Sequence, residues 1–191
     1  MLYFCFSLAA VLLAAHEQFD DIEGQVCADL GCGCGTFAAG LCSLSADYCF
    51  GFDIDSYALK ICVDNMDNLE IYNADFVQCD VSKVDKRNSP RLENCVDTVF
   101  MNPPFGTKGN KGADISFLSA AIYMSRNTVY SLHKSSTRRF ILKKAQQWGV
   151  EAEVVAELRF DLPAVYKFHK CETQDVQVDF LRFSKIRRSV A

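Results

Sequence analysis

"QVCADLGCGCGTFAAGLCSL", residues 25–44, decides how the rest of the chain is read. Its first six residues, 25–30, form a short, largely apolar run with the composition of a buried strand. Gly31, Gly33 and Gly35 then fall at every second position, so the backbone can turn sharply and approach another group closely. "TFAAGLCSL" (36–44) returns to helical spacing. Strand, glycine turn and helix in this order open a unit of alternating β and α elements, and Asp29 places a carboxylate at the turn.

Working outward, the alternation repeats. "YCFGFDI" (48–54) reads as a second strand, "DSYALKICVDNM" (55–66) as the next helix and "ADFVQCD" (74–80) as a third strand. "CVDTVFM" (95–101) is the fourth strand, beyond a polar surface loop at 82–94. "DISFLSAAIYMS" (114–125) places Ile115, Leu118, Ala121 and Ile122 on one helical face. A fifth strand (127–132) and a helix (135–148) follow. "EAEVVAELRF" (151–160) and "VQVDFLRF" (176–183) have no helix between them, so they pair antiparallel. The expected fold is α/β: a doubly wound, mostly parallel, seven-stranded sheet with a terminal antiparallel strand.

The bulk composition agrees with one globular domain. The chain has 191 residues, half of them hydrophobic and 23% charged, enough to bury a core without staples. A formal net charge of −4 argues against holding nucleic acid by bulk electrostatics, while leaving room for a local basic face. Ten cysteines would suit a disulfide scaffold, but Cys27, Cys49, Cys62, Cys79 and Cys95 lie in apolar runs and act as small hydrophobes. With no CxxC pair, no metal site is expected, and a reducing intracellular compartment is.

The N-terminus is less regular. "FCFSLAAVLLAA" (4–15) is too short to span a bilayer and lacks the preceding basic residues of a signal peptide. It reads equally as a core or partner-bound helix or as a targeting segment. The division expected is an atypical apolar segment at 1–18 and a domain at 19–191.

In a doubly wound sheet, ligands sit at the carboxyl ends of the strands. The D-x-G-x-G-x-G pattern at 29–35 differs from the G-x-G-x-x-G that seats a pyrophosphate. Asp29, Asp53 and Asp80 are expected at three strand ends, where they would repel phosphate and suit a cationic ligand such as S-adenosylmethionine. Asp53 is placed to take both ribose hydroxyls, and Asp80 to accept from the adenine amine. Asp55, next to Asp53, is the better helix cap. A plain structural turn is the competing reading of the glycines.

The fourth strand ends in "NPPF" (102–105). Pro103 and Pro104 fix φ and remove two backbone donors, leaving carbonyls free to point into a cleft. The Asn102 side-chain oxygen and the Pro103 carbonyl would be two acceptors in one rigid frame, as a planar –NH₂ group needs. Phe105 offers a face for base stacking. A strand merely stopped by two prolines is the alternative. Lys108 and Lys111 in "TKGNKG" (107–112), and Lys167 and His169 in "VYKFHK" (165–170), are candidate RNA contacts. Lys134, Arg138, Arg139, Lys143 and Lys144 form either a further basic face or a solvated helix surface.

"DLGCGCG" (29–35) and "NPPFGTKGNKGAD" (102–114) together resemble the amino-methyltransferases with an Asn/Asp/Ser-Pro-Pro-aromatic motif, a class I, Rossmann-like family dependent on S-adenosylmethionine. More narrowly, "NPPFGTK", "VYSLHKSSTR" (129–138) and "AELRFDLPAVYKFHK" (156–170) resemble the eukaryotic N6-adenosine methyltransferases of 18S ribosomal RNA. The resemblance runs from about Phe19 to Phe183. It implies that Gly31, Cys34, Asp53, Asp80 and Val81 contact the cofactor, with Asp29 and Gly33 in the same turn, and that Asn102, Pro103, Pro104 and Phe105 form the catalytic motif. It further implies 18S rRNA as substrate, a small zinc-binding activator subunit docked along a sheet edge as a heterodimer, and a nuclear (nucleolar) and cytoplasmic location. In the family, a segment containing Gln-Tyr-Pro-Thr precedes the first strand; nothing like it stands before Gln25 here. Residues 4–15 match neither flank of the family pattern, which suggests a truncated or mis-spliced gene model. From the residues alone, the Asn-Pro-Pro clamp also suits a glutamine amide or the N2 amine of guanine, and a non-catalytic chain that binds only the activator is a further reading.

Overall fold

In the computed structural model, which describes residues 2–104, 112–163 and 173–185, seven strands form one sheet. They are β1 (Val26–Leu30), β2 (Tyr48–Asp53), β3 (Ala74–Gln78), β4 (Val96–Met101), β5 (Ser125–Lys134), β6 (Val150–Pro163) and β7 (Thr173–Lys185). Their spatial order is β3-β2-β1-β4-β5-β7-β6. Pairings from β3 through β5 are parallel, while β7 runs antiparallel to both β5 and β6. The doubly wound sheet expected from the alternation is therefore present, with one reversed strand inserted beside the edge strand.

Five helices cover the sheet: α1 (Leu2–Phe19), α2 (Thr36–Ser43), α3 (Ser56–Asn68), α4 (Ala113–Met124) and α5 (Arg138–Trp148). One core joins Leu8, Val11, Leu12 and Ala15 of α1 and Phe37, Ala38 and Leu41 of α2 to Cys27, Phe100, Tyr130 and Phe180. The other joins Leu118, Ala121 and Met124 of α4 and Ile141 and Ala145 of α5 to Ala28, Val99, Val129 and Leu181. The two clusters alternate along β1, β4 and β5, as side chains of period two require. Residues 4–15 thus lie within a helix whose described side chains include a buried face, and Leu12 fills the space a Cβ would take at Gly40. Among the described residues no helix is long and apolar enough to cross a membrane.

Local sequence explains the element ends. Asp55 caps α3 by accepting from Tyr57 N–H at 2.9 Å, and Gly149 ends α5 in the left-handed region. Asp80 differs from the expectation that it ends β3. That strand stops at Gln78, and Asp80 caps a short 3₁₀ turn at 81–83. Its Oδ1 accepts from the Ser82 N–H at 3.1 Å and the Ser82 hydroxyl at 2.5 Å, because an aspartate side chain competes with the strand ladder for nearby donors.

Candidate active site

The sheet reverses direction of growth between β1 and β4, and the chain leaves their carboxyl ends through the glycine turn and the Asn-Pro-Pro segment respectively. A cleft of about 440 Å³ opens there, in the size range of small-molecule sites. Gly31, Asp53, Asp80, Val81, Asn102 and Pro104 all line it. Six of the residues singled out in the sequence, drawn from four strand ends, therefore meet in one cavity.

The glycine turn and Asp53 are built together. The Gly33 N–H donates to Asp53 Oδ2 at 2.8 Å, and the Asp55 N–H donates to Asp53 Oδ1 at 2.9 Å. Each carboxylate oxygen thus takes one backbone donor and keeps a lone pair for a second. Gly31, Gly33 and Gly35 all have positive φ. At Gly35 (φ 88°) an added Cβ would lie 2.5 Å from Cys62 Sγ, so the turn sits directly on α3. Gly33 itself lies outside the cleft lining and acts through its N–H. Cys34 is exposed and outside the cleft lining, its carbonyl accepting from Asn65 Nδ2 at 2.9 Å.

Asp29 lies beneath the turn, 1% exposed. Its Oδ2 accepts from the Ala38 N–H at 3.2 Å, while Oδ1 is buried with no partner. Burial pushes this carboxyl up to about 7, opposed by the Ala38 bond and assisted by the charge of Asp53. Asp80 titrates the other way, held low by Ser82 and by Lys83, whose ammonium lies 2.9 Å from Oδ2. An orphaned buried acceptor, a half-occupied carboxylate and a third acid fit a cationic ligand bearing hydroxyl or amine donors. They do not fit a pyrophosphate.

Asn102 is half-buried, and its side chain makes no hydrogen bond among the described residues. Pro103 is buried and Pro104 is exposed on the cleft rim. Phe105, Lys108, Lys111, Lys167 and His169 lie outside the described residues. Five wall residues, Ile54, Cys79, Ser82, Ala113 and Phe117, were not expected from the sequence, and two of them had a signal. Ile54 is an exposed apolar side chain directly after Asp53, and its exposure at a strand end was the available signal. Phe117 stands on α4 beside the Ile115–Leu118 face, and its Cε1 lies 3.3 Å from where a Gly31 Cβ would be. An aromatic one turn into the helix after the clamp is the cue that could have found it.

Of the basic cluster, Arg138 is committed to structure. Its guanidinium binds both oxygens of the buried Asp179, at 2.6 and 2.7 Å, and Glu157 at 2.9 Å. Arg139 is exposed.

Comparison with known proteins follows the same line. Residues 8–128 match the methyltransferase small domain family. The chain is 52% identical over 174 residues to the zebrafish rRNA N(6)-adenosine-methyltransferase METTL5, covering 91% of this chain and 82% of the relative. It is 45% identical to the Drosophila melanogaster rRNA N(6)-adenosine-methyltransferase Mettl5, covering 91% and 81%. The chain belongs to the METTL5 family. Among solved structures, a candidate RNA methyltransferase from Pyrococcus horikoshii, PH1948, superposes with a TM-score of 0.77 at 32% identity, covering 95% of this chain and 83% of that one. The class I methyltransferase fold is thereby established, and with it S-adenosylmethionine as the methyl donor.

Proposed function

We propose that this chain methylates the exocyclic N6 amine of an adenosine in ribosomal RNA, and that the RNA is that of the small subunit (18S). The reading is carried by one observation: Asn102 and Asp53 line the same cleft. When bound, S-adenosylmethionine supplies an electrophilic methyl group on a cationic sulfur. Asp53 would hold its ribose hydroxyls through the lone pairs left by Gly33 and Asp55. Asp29 and the glycine turn would hold its amino-acid end, with Asp80, Val81 and Ile54 around its base.

Asn102 and the Pro103 carbonyl then act on the acceptor. An amine conjugated to a purine is a weak nucleophile because its lone pair is delocalised into the ring. Two acceptors on one side of the –NH₂ favour pyramidal nitrogen and aim the lone pair at the cleft, so positioning carries the catalysis. The nitrogen sheds its extra proton to solvent after transfer. An adenine must leave its stack to reach this rim, which favours a loop or junction over a duplex. Phe105 is proposed as its stacking face, and Lys108, Lys111, Lys167 and His169 as backbone contacts. Pairing of β6 with β7 continues from Val178 to Thr173, past the point where β5 ends at Lys134. It therefore extends beyond the carboxyl edge, the same edge that carries the clamp.

A partner subunit belongs to the proposal. β3 is an edge strand, and Tyr57, Leu69, Tyr72 and Val77 on or beside it are exposed. An unpaired edge with apolar flanks suits strand addition by an activator.

The deciding experiment incubates the purified protein, with and without the activator, with S-adenosylmethionine and deproteinised small-subunit RNA, and digests the products to nucleosides and amino acids. N6-methyladenosine from the RNA is expected. Methylglutamine, N2-methylguanosine or no transfer in either mixture would overturn the assignment.

A further inference from the structure

Behind the cleft wall lies a buried polar chain that the proposed chemistry does not use. His133, near the end of β5, is 1% exposed. Its Nε2 is 2.8 Å from Ser131 Oγ, and its Nδ1 is 3.9 Å from Asp114 Oδ2. The second distance is that of an ion pair and too long for a hydrogen bond. Asp114 stands in the first turn of α4, next to Ala113 and one turn from Phe117, both of which line the cleft. Ser131 is the register partner of Met101, the residue before Asn102. The Asp114–His133 contact therefore ties the helix turn that walls the cleft to the strand beside the one carrying the clamp.

We propose that His133 is a positioning residue whose contact with Asp114 holds the Ala113–Phe117 wall against the glycine turn, and so sets the affinity of the cleft for the methyl donor. The proposal rests on the cleft's being the S-adenosylmethionine site. Asp114 is held below the usual carboxylate range by its contact with His133, which keeps it anionic. The other charged groups around the imidazole are on β7 and α5. Asp179 is the register partner of His133, and although burial raises its carboxyl, hydrogen bonds from Arg138 and Ser135 bring it low. His133 acts on Asp179 as well, but Arg138 holds that carboxylate, and Asp114 is the one that stands on the cleft wall. Polar attraction across 3.9 Å in a partly buried setting is screened less than at the surface, so this one contact can tie the helix turn to β5.

The test is a double-mutant cycle on the full chain, comparing Asp114→Asn and His133→Gln by calorimetric titration of S-adenosylmethionine at one fixed pH. His133→Gln keeps an amide for Ser131 but cannot carry a charge. Asp114→Asn is expected to weaken donor binding about tenfold. In the His133→Gln background that weakening should be absent. No weakening from Asp114→Asn, or one that persists in full in the His133→Gln background, would overturn the proposal. Amide hydrogen exchange of residues 113–117, compared at equal pH in the unliganded proteins, supplies a readout that does not depend on the donor. Faster exchange in Asp114→Asn supports the pairing, and unchanged exchange refutes it. Absence of titration heat in every variant, with that exchange difference intact, would instead count against the cleft as donor site.

Discussion

The two ends of the sheet carry clefts of nearly equal size, about 410 Å³ at the amino ends of the strands and about 440 Å³ at the carboxyl ends. At the amino end the charges answer one another. Asp21 Oδ2 accepts from Tyr130 at 2.7 Å and Arg182 at 2.9 Å, and Oδ1 accepts from Thr128 at 3.3 Å. Arg182 also reaches Glu153 at 3.2 Å and stacks 4.4 Å over the Phe19 ring. Asp97 binds Arg126 and the Val26 N–H, while Lys185 donates to Asn94 and to the Ser125 carbonyl. At the carboxyl end Asp29 Oδ1 is orphaned, Asp53 keeps spare lone pairs and the Asn102 side chain has no described partner. Volume does not distinguish the two clefts. Acceptors left free on the lining itself, at Asp53 and Asn102, do, and they mark the end proposed to do chemistry. Buried atoms without a partner occur near both ends, Asp29 Oδ1 at one and His16 Nδ1 at the other.

This contrast can be broken in four ways. Asn102→Ala removes an acceptor that nothing else supplies, so turnover on RNA should fall by about a hundredfold or more while calorimetric donor affinity stays within about twofold. Near-normal turnover would show that the clamp is not the catalytic element. Asp53→Ala strips both the ribose acceptor and the partner of the Gly33 N–H. Donor affinity should drop by about tenfold to a hundredfold, with a smaller change in melting temperature.

Asp21→Ala should do the reverse. It leaves Arg182 and Tyr130 without their shared anion and should cost about 2 kcal/mol, lowering Tm by about 4–8 °C with kcat per folded molecule unchanged. A loss of kcat with intact Tm would erase the distinction between the two ends.

Asp29→Asn reads out as a slope with pH and not as a loss of turnover. A carboxyl at about 7 in the fold and about 3.9 when unfolded binds its proton more tightly in the native state. Its contribution to stability is full below about pH 4 and is lost as pH rises through 7. The Tm of the unliganded wild-type protein, taken relative to that of Asp29→Asn, should therefore decline between pH 5 and pH 8. A flat difference would mean that Asp29 is not a buried acid.

The sequence exposed one end of the sheet far better than the other. The glycine turn, Asp53 and Asn102 were legible because each uses a residue type tied to backbone geometry or to a strand end. The amino-end network was invisible, since Asp21 meets Tyr130 and Arg182 across 109 and 161 residues, and nothing local marks such pairs. Boundaries failed where a side chain outcompeted the ladder, as at Asp80. Helical periodicity read α4 as a core helix and passed over Phe117, which lies off the main apolar face and closes the cleft. Cys34 shows the converse. It stands inside the most informative motif, yet it is exposed and lies outside the cleft lining.

The reversed strand has a consequence for how the molecule is made. β5 lies between β4 and β7, and β7 is the last strand of the sheet in chain order. Until residues 173–185 emerge, one side of β5 has no ladder partner, and Asp179 is not yet there to engage Arg138. Nascent protein thus passes through a stage with a long, apolar, unpaired strand edge. A frameshift confined to this last strand would spare every residue that lines the carboxyl-end cleft while leaving a chain prone to aggregate, so it should reduce abundance more than catalytic rate.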